Sequence, residues 1–202
     1  MQSKAIKLEP TKPFTWASGW RSPIYCDNRL TLSLPAVREQ IKDAFIRVIR
    51  DRFPEPEVIA GVATGAIAQG ALVADGMNLP FIYVRSSAKG HGRMNMIEGS
   101  IHPGQRVVVV EDLVSTGGSS LKAVEAIRAS GAEVTGMAAI FSYGFQLAAD
   151  NFAEAGVSLV TLTDYHALIE MAVDRGDIGQ DQVNMLQQWR ENPSSWDPLH
   201  HP

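Results

Sequence analysis

The chain has few of the features that mark secreted, membrane-bound or nucleic-acid-binding proteins. Cys26 is the single cysteine in 202 residues, so no internal disulfide can form and a cytoplasmic setting is expected. No apolar run approaches the roughly 20 residues of a membrane span. The first ten residues, MQSKAIKLEP, have no apolar core typical of a signal peptide. The net charge of −4 argues against a general nucleic-acid-binding surface.

Two common phosphate-binding sequences are also missing. The chain contains neither a Gly-Lys-Ser/Thr P-loop nor the dinucleotide-binding pattern G-x-G-x-x-G. Its length suits one domain with a sizeable core, because 45% of the residues are hydrophobic and 20% are charged, as in ordinary globular proteins. An anionic ligand would therefore need some other local arrangement of glycines, hydroxyls and cations.

The central stretch VVVVEDLVSTGGSS, residues 107–120, carries the strongest functional pattern. Its four valines predict a strand buried on both faces of a parallel sheet. Glu111 and Asp112 follow where that strand should end, and an apolar helical pattern resumes at Leu121. A strand, an acid pair, a glycine turn and a helix in this order present ligands at the carboxyl ends of strands in α/β proteins.

The turn in this stretch has the chemistry of a phosphate site. Glycines let backbone N–H groups approach an anion, and the following helix adds the positive end of its dipole. Ser115, Thr116 and Ser119 can donate hydroxyl hydrogen bonds to it. Because carboxylates would repel a phosphate, the acid pair is expected to bind hydroxyls or a metal-bearing group of the same ligand. A sugar phosphate fits both requirements; the alternative is an ordinary strand–turn–helix corner.

These residues resemble the phosphoribosyl-diphosphate (PRPP) binding motif of type I phosphoribosyltransferases. The resemblance implies that the acid pair holds the ribose hydroxyls and that the turn holds the 5′-phosphate. The implied PRPP-binding residues here are Glu111, Asp112, Leu113, Val114, Ser115, Thr116, Gly117, Gly118 and Ser119. A second small-residue turn, at 63–67 after a predicted strand at 57–62, is a second candidate anion site. The resemblance assigns it to pyrophosphate, whereas a tight connection is the alternative.

The segment FTWASGWRSPIYCDNRL, residues 14–30, predicts two short strands around Ser18-Gly19-Trp20. Taken alone, it could equally be a surface hairpin with exposed aromatic residues. It resembles the segment S-G-x-x-S-P-x-Y of orotate phosphoribosyltransferases, which forms a small hood over the base. The resemblance implies that the candidates for binding orotate are Tyr25, Arg21 and Ser115.

A cationic segment, RSSAKGHGR at 85–93, follows a predicted strand at 81–84 and is expected to begin a long mobile loop that extends to about residue 104. Such a loop could close over a pyrophosphate and neutralise charge as the bond breaks; a solvated charged loop is the alternative. The spacing resembles the orotate phosphoribosyltransferase loop R-K-x-x-K-x-H-G. This implies that Arg85, Lys89 and His91 are catalytic and bind PRPP, and that a homodimer uses the loop in trans.

Four positions lack cations that many longer members of that family carry. They are Ala17, Gly65, Ser86 and Tyr143. Tyr143 falls where many members have an arginine that meets the orotate carboxylate. Arg21, backbone N–H groups of the hood and the Ser115 hydroxyl remain as candidates for binding that carboxylate.

Weaker patterns predict the remaining elements. Residues 1–9 have a weak helical pattern, and an apolar stripe predicts a helix at 35–53. Further helices are expected from 67 to about 74, at 147–155, from Asp164 through Val173, and at 179–189. Strands are expected at 133–141 and 157–162. The Pro-rich residues after Asn192 are expected to be peripheral.

The resemblance spans roughly residues 5–175 and implies the type I phosphoribosyltransferase fold. This is an α/β fold with a mainly parallel central sheet flanked by helices, a small N-terminal hood and a flexible catalytic loop. One domain is expected over 1–202, with the hood at 1–34, the core at about 35–175 and a C-terminal helix and tail at 176–202.

The implied reaction belongs to pyrimidine biosynthesis. It transfers 5-phosphoribosyl from PRPP to N1 of orotate, which gives orotidine 5′-monophosphate and pyrophosphate. PRPP would carry the Mg²⁺, with no direct protein ligand. The alternatives are a phosphoribosyltransferase for another base and a non-catalytic PRPP-sensing regulator.

Overall fold

The computed structural model describes residues 5–9, 12–16, 18–87 and 96–197. The strands are β1 (Ile6–Leu8), β2 (Phe14–Thr15), β3 (Arg21–Ser22), β4 (Ile24–Cys26), β5 (Val58–Val62), β6 (Phe81–Val84), β7 (Ile97–Glu98), β8 (Arg106–Val114), β9 (Glu133–Ser142) and β10 (Leu159–Asp164). The helices are α1 (Pro35–Arg52), α2 (Ile67–Met77), α3 (Gly118–Ala129), α4 (Gln146–Glu154), α5 (Tyr165–Asp174) and α6 (Gln180–Glu191), with a 3₁₀ helix at Asn28–Ser33.

Six strands form the central sheet in the order β10-β9-β8-β5-β6-β7. All neighbours are parallel except β7, which is antiparallel to β6. The valine run of β8 is fully buried, and its side chains alternate between the two faces. Val108 and Val110 pack into the core that includes α1, α2, α5 and α6, whereas Val107 and Val109 pack into the core with α3 and α4. The predicted α/β architecture with a mainly parallel sheet is therefore confirmed.

The central strand is longer than its sequence predicts. Glu111 and Asp112 were expected just beyond its end, but β8 continues to Val114. The reason is β9, which is long enough to pair with β8 from Arg106 as far as Val114. The acid pair therefore lies within a hydrogen-bonded strand, close to its carboxyl end.

The N-terminal hood consists of two small antiparallel pairs. β2 and β3 form the predicted hairpin, and β1 pairs with β4. The helix predicted from the weak pattern of residues 1–9 was therefore wrong for Ile6–Leu8, which form a strand. Pairing with Ile24–Cys26 overrides the weak local preference. The 3₁₀ helix, capped by the Asp27 side chain, joins the hood to α1.

The C-terminal segment packs closely against the hood. Val183, Leu186 and Trp189 of α6 are buried, as the apolar pattern predicts. The expectation that residues after Asn192 are peripheral is wrong for Trp196, which is only 5% exposed and belongs to the same core, whereas Ser194 and Ser195 are exposed. A large indole has too much apolar surface to leave in water when a core lies nearby.

The predicted loop after β6 is shorter than expected at its far end. Arg85 N–H donates to the oxygen of Met96 at 2.9 Å, and the next two residues form β7. Residues 88–95 lie outside the described residues. None of the helices in the described ranges is both long and apolar enough to span a membrane.

Candidate active site

The acid pair lines a polar cavity of about 300 Å³ beside the carboxyl ends of β5 and β8. One wall is the end of β8 with Ser119 of α3, and another is the loop 63–65 after β5. The sequence predicted that these two turns are functional. The third wall, which it did not predict, is the hood segment with Cys26, Asp27 and Arg29. The available signal was the polar run Asp-Asn-Arg directly after a predicted hood strand.

Glu111 is the buried member of the acid pair, at 4% exposure. One carboxyl oxygen accepts from the Ser120 hydroxyl at 2.8 Å, and the other accepts from the Asp112 N–H at 2.9 Å. Burial, reinforced by the adjacent Asp112 carboxyl, raises the pKa of Glu111 to about 8. The protonated form of Glu111 is therefore favoured over a wider range of pH than in an ordinary exposed carboxyl.

Asp112 is held by contacts on two sides. The Asn28 side-chain amide donates to the main-chain oxygen of Asp112 at 2.6 Å. The carboxylate packs so closely against Gly65 that a Cβ at that position would overlap it. With the Asp112 carboxylate in this position, a side chain at residue 65 would require that carboxylate to move.

The glycine turn leads into α3 with a free helix N-terminus. Gly117 has a φ of +82°, and a Cβ there would lie 2.6 Å from the Phe152 ring, so glycine is required. The Asn151 side-chain amide fixes the turn by donating to the main-chain oxygen of Thr116 at 2.9 Å. In the described part of the chain, α3 has no side-chain cap, so its first N–H groups are available to an anion.

An apolar cavity of about 390 Å³ adjoins the polar one. Its walls are Thr15, Trp16, Tyr25, Cys26, Leu113, Ser115 and Tyr143. Cys26 and Leu113 line both cavities, so the two share a wall and lie side by side. The aromatic rings give this second cavity the character of a site for a flat, partly apolar group.

Two of the three predicted orotate-binding residues, Tyr25 and Ser115, line this apolar cavity. Arg21 does not line it; its guanidinium lies 3.8 Å from Asp197, on the exposed side of the hood. Tyr143 is buried in the wall, with its ring 4.9 Å from that of Trp16. Among the described residues, no lysine or arginine lines the apolar cavity.

Arg29 is the cation that the structure places in the polar cavity. Its Nε and Nη2 donate to the two carboxylate oxygens of Asp27 at 2.7 and 2.9 Å. This fork holds the pKa of Asp27 below its usual value. A guanidinium held in this way offers a positive field to an anionic ligand, although part of its charge is already balanced.

The predicted catalytic cations are not assembled in the described part of the chain. Arg85 lines neither cavity, and its guanidinium donates to Glu98 at 3.4 Å. Lys89 and His91 lie outside the described residues. Their roles stay predictions.

Comparison with known proteins identifies the family. A model of the phosphoribosyl transferase domain matches residues 32–174. The chain belongs to this family. Orotate phosphoribosyltransferase of Bacteroides thetaiotaomicron is 58% identical over 197 residues, which is 98% of this chain and 93% of that protein. This match leaves out only a few residues, so it includes elements of the hood and of α6 that lie beyond the family model.

Solved structures of the family have the same architecture. Orotate phosphoribosyltransferase from Aeropyrum pernix superimposes with a TM-score of 0.76 at 30% identity, over 88% of this chain and 96% of that one. Leishmania donovani UMP synthase gives a TM-score of 0.79 at 27% identity, over 94% of this chain but only 40% of that longer one. The type I phosphoribosyltransferase fold that the sequence predicts is thereby confirmed.

The described residues provide few side-chain ligands that could bind a metal ion directly. They contain no group of three or more His, Cys, Asp or Glu side chains that could hold one. Burial raises the pKa of the Cys26 thiol to about 12, so it stays protonated and is a poor metal ligand. The two carboxyls of the acid pair fit a ligand that arrives with its own hydrated cation.

Proposed function

We propose that this protein is an orotate phosphoribosyltransferase, which transfers 5-phosphoribosyl from PRPP to N1 of orotate and releases pyrophosphate and orotidine 5′-monophosphate. The observation that carries the proposal is the pair of adjacent cavities, one polar around the acid pair and one aromatic under the hood. Relatives of that name match almost the whole chain, including its hood.

PRPP is proposed to occupy the polar cavity and the adjoining glycine turn. The N-terminus of α3 and the hydroxyls of Ser115, Thr116 and Ser119 would bind the 5′-phosphate. Glu111 and Asp112 would bind the ribose hydroxyls, and the backbone of loop 63–65 would face the pyrophosphate.

The proposal also includes the predicted organisation of the chain as one domain, divided into hood, core and C-terminal tail.

The base is proposed to lie in the aromatic cavity, between the hood and the end of β9. Its ring would contact Trp16, Tyr25 and Tyr143. Because Arg21 points toward Asp197, the Ser115 hydroxyl and hood N–H groups are the better candidates for the orotate carboxylate. Neutral donors are sufficient to orient a carboxylate, although each is weaker than a charged partner.

The reaction breaks the bond between the anomeric carbon and the pyrophosphate oxygen, and N1 of orotate supplies the electron pair for the new bond. Positive charge develops on the ribose while negative charge develops on the leaving pyrophosphate. Lys89, His91 and Arg85 are proposed to stabilise that negative charge. Since orotate N1 reacts as an anion, neither member of the acid pair has to remove a proton. PRPP is proposed to bring Mg²⁺, which would neutralise diphosphate charge.

The proposal includes a cytoplasmic homodimer in which each catalytic loop serves the partner's site. The single cysteine fits a reducing compartment. The family resemblance of the loop 85–93 supports action in trans. In the described residues, Arg85 points away from the cavities of its own chain, toward Glu98.

An absorbance assay with Mg²⁺, PRPP and orotate tests the function, with uracil and purine bases in parallel. PRPP-dependent loss of orotate is expected. Turnover of another base alone would replace the substrate and keep the reaction. Tight PRPP binding without turnover of any base would instead identify a PRPP-sensing regulator.

A further inference from the structure

The aromatic cavity is built largely from parts of the chain outside the shared domain. The family model covers residues 32–174. The hood, which contributes most of the cavity wall, precedes that range. Helix α6 follows it and packs against the hood through Trp189, which is fully buried. The hood wall of the aromatic cavity is therefore supported by a helix that lies far away in the sequence.

Trp189 makes a direct hydrogen bond to the hood. Its indole Nε1–H donates to the main-chain oxygen of Arg21 at 2.9 Å. Arg21 belongs to β3 and stands opposite Thr15 of β2 in the hairpin register. Thr15 lines the aromatic cavity, so this hydrogen bond fixes the strand pair that forms the cavity wall.

The Trp189 ring also touches both aromatic walls of the cavity. Its centroid lies 5.7 Å from that of the Trp16 ring, in an edge-on arrangement, and 5.8 Å from that of the Tyr143 ring. Trp16 comes from the hood and Tyr143 from the end of β9. The Trp16 and Tyr143 rings also contact each other directly, with centroids 4.9 Å apart, so Trp189 packs behind both walls and supports their contact.

We infer that Trp189 is a positioning residue that determines base affinity, by holding the hood in place against Tyr143. This inference rests on the proposed function, because it assigns the base to the aromatic cavity. In the described residues, the hydrogen bond and ring contacts of Trp189 lead to the hood, the β9 end, Phe145 and Tyr165. They do not lead to the acid pair, so PRPP affinity should be independent of Trp189.

The test compares Trp189→Phe with Tyr165→Phe as a matched control. Trp189→Phe keeps an aromatic ring but removes the hydrogen-bond donor to the hood. We expect KM for orotate to rise about threefold to tenfold, because this is the effect of losing one buried hydrogen bond. KM for PRPP should stay within about twofold. Tyr165→Phe removes a buried hydrogen bond of similar length, 2.9 Å to the Leu186 oxygen. It should lower stability comparably and leave both KM values unchanged.

Three results would overturn the inference. They are an unchanged KM for orotate in Trp189→Phe, equal changes in KM for both substrates, and the same rise in KM for orotate in Tyr165→Phe. If Trp189→Phe fails to fold, replacement of Trp189 by benzothienylalanine removes the N–H at constant shape, and the same expectations apply.

The failure of the proposed function is a separate outcome. If the wild-type protein uses a different base, the substrate assignment fails, and the KM comparison with that base still decides the role of Trp189. If the wild-type protein turns over no base, calorimetric titration with orotate replaces KM. Absence of any binding then overturns both proposals.

Discussion

The side-chain amide of Asn28 donates to the main-chain oxygen of Asp112 at 2.6 Å, across 84 positions of the chain. The Asn28 side-chain oxygen in turn accepts from the Cys26 thiol at 3.4 Å, and the residue is only 7% exposed. This contact joins the hood to the strand that carries the acid pair. Any shift of the 3₁₀ helix would therefore move the strand at Asp112, in the proposed ribose site.

Replacing this amide should weaken PRPP binding. In Asn28→Ala the Asp112 oxygen loses its buried donor, which costs about 1–3 kcal/mol. Part of this cost should appear as an approximately tenfold rise in the dissociation constant for PRPP, measured by calorimetry.

Thr31→Val is the matched control for Asn28→Ala. It removes the hydroxyl that donates to the main-chain oxygen of Asn28 at 2.6 Å, in the same 3₁₀ helix. We expect a similar loss of stability and an almost unchanged PRPP affinity. Equal loss of affinity in both variants would mean that the helix as a whole, rather than its contact with Asp112, matters.

Gly65→Ala should weaken PRPP binding. The new Cβ would overlap the Asp112 carboxylate, which would have to leave its position in the polar cavity. Gly104→Ala controls for backbone effects, because its positive φ of +82° imposes strain while nothing lies within 4 Å of the added atom. Titration with PRPP and urea unfolding should show affinity lost only in the first variant. Normal PRPP affinity in Gly65→Ala would contradict the proposed ribose site.

The raised pKa of Glu111 predicts a pH dependence of stability. Between the ordinary value of 4.5 and about 8, the folded state keeps a proton on Glu111 that the unfolded state has lost. The unfolded state therefore binds fewer protons, and the contribution of Glu111 to the free energy of unfolding falls as the pH rises through this window. Urea unfolding of the protein without ligands from pH 5 to pH 8 measures the trend.

Glu111→Gln isolates this contribution. The amide is neutral at every pH, and its oxygen can still accept from Ser120 or from the Asp112 N–H. We expect the difference in stability between the variant and the wild-type protein to grow in favour of the variant as the pH rises. A difference that is constant from pH 5 to pH 8 would show that Glu111 is already ionised in the folded state.

The central strand shows what local patterns can and cannot reveal. Its valine run predicted burial on both faces, because only a strand covered by helices on each side tolerates continuous apolar residues. The strand ends at Val114 because it pairs with β9 up to that residue. The length of a partner strand cannot be predicted from the local sequence of β8. The turn at 115–119 could be predicted, since glycines and hydroxyls directly before a helix form a phosphate-binding arrangement within a few consecutive residues.

The candidate site was predictable only where its residues are close in sequence. The contact of Asn28 with Asp112 and that of Trp189 with the hood are products of the tertiary fold. The same applies to Trp196 and to Ile6–Leu8, whose local patterns were weak and whose partners lie elsewhere in the chain. Arg29 was missed because its neighbour Asp27 makes it look like an ordinary surface ion pair.

Subunit complementation tests the proposal that the catalytic loop acts in trans. Lys89→Ala should inactivate the loop, and Asp112→Ala should inactivate the ribose site of its own chain. In a hybrid dimer with the loop in trans, one site combines the intact acid pair of one chain with the intact loop of the other. Mixing the two inactive variants should then restore activity, to about a quarter of the wild-type value at equal amounts and random exchange.

A loop that acts in cis predicts the opposite result. Each site of the hybrid would then carry one of the two defects, and no activity would return. Size-exclusion chromatography of differently tagged chains establishes that exchange has occurred, so that lack of activity in a confirmed hybrid counts against action in trans. A protein that stays monomeric at assay concentration would exclude both the dimer and the shared site, and Lys89 would then have to reach the polar cavity of its own chain.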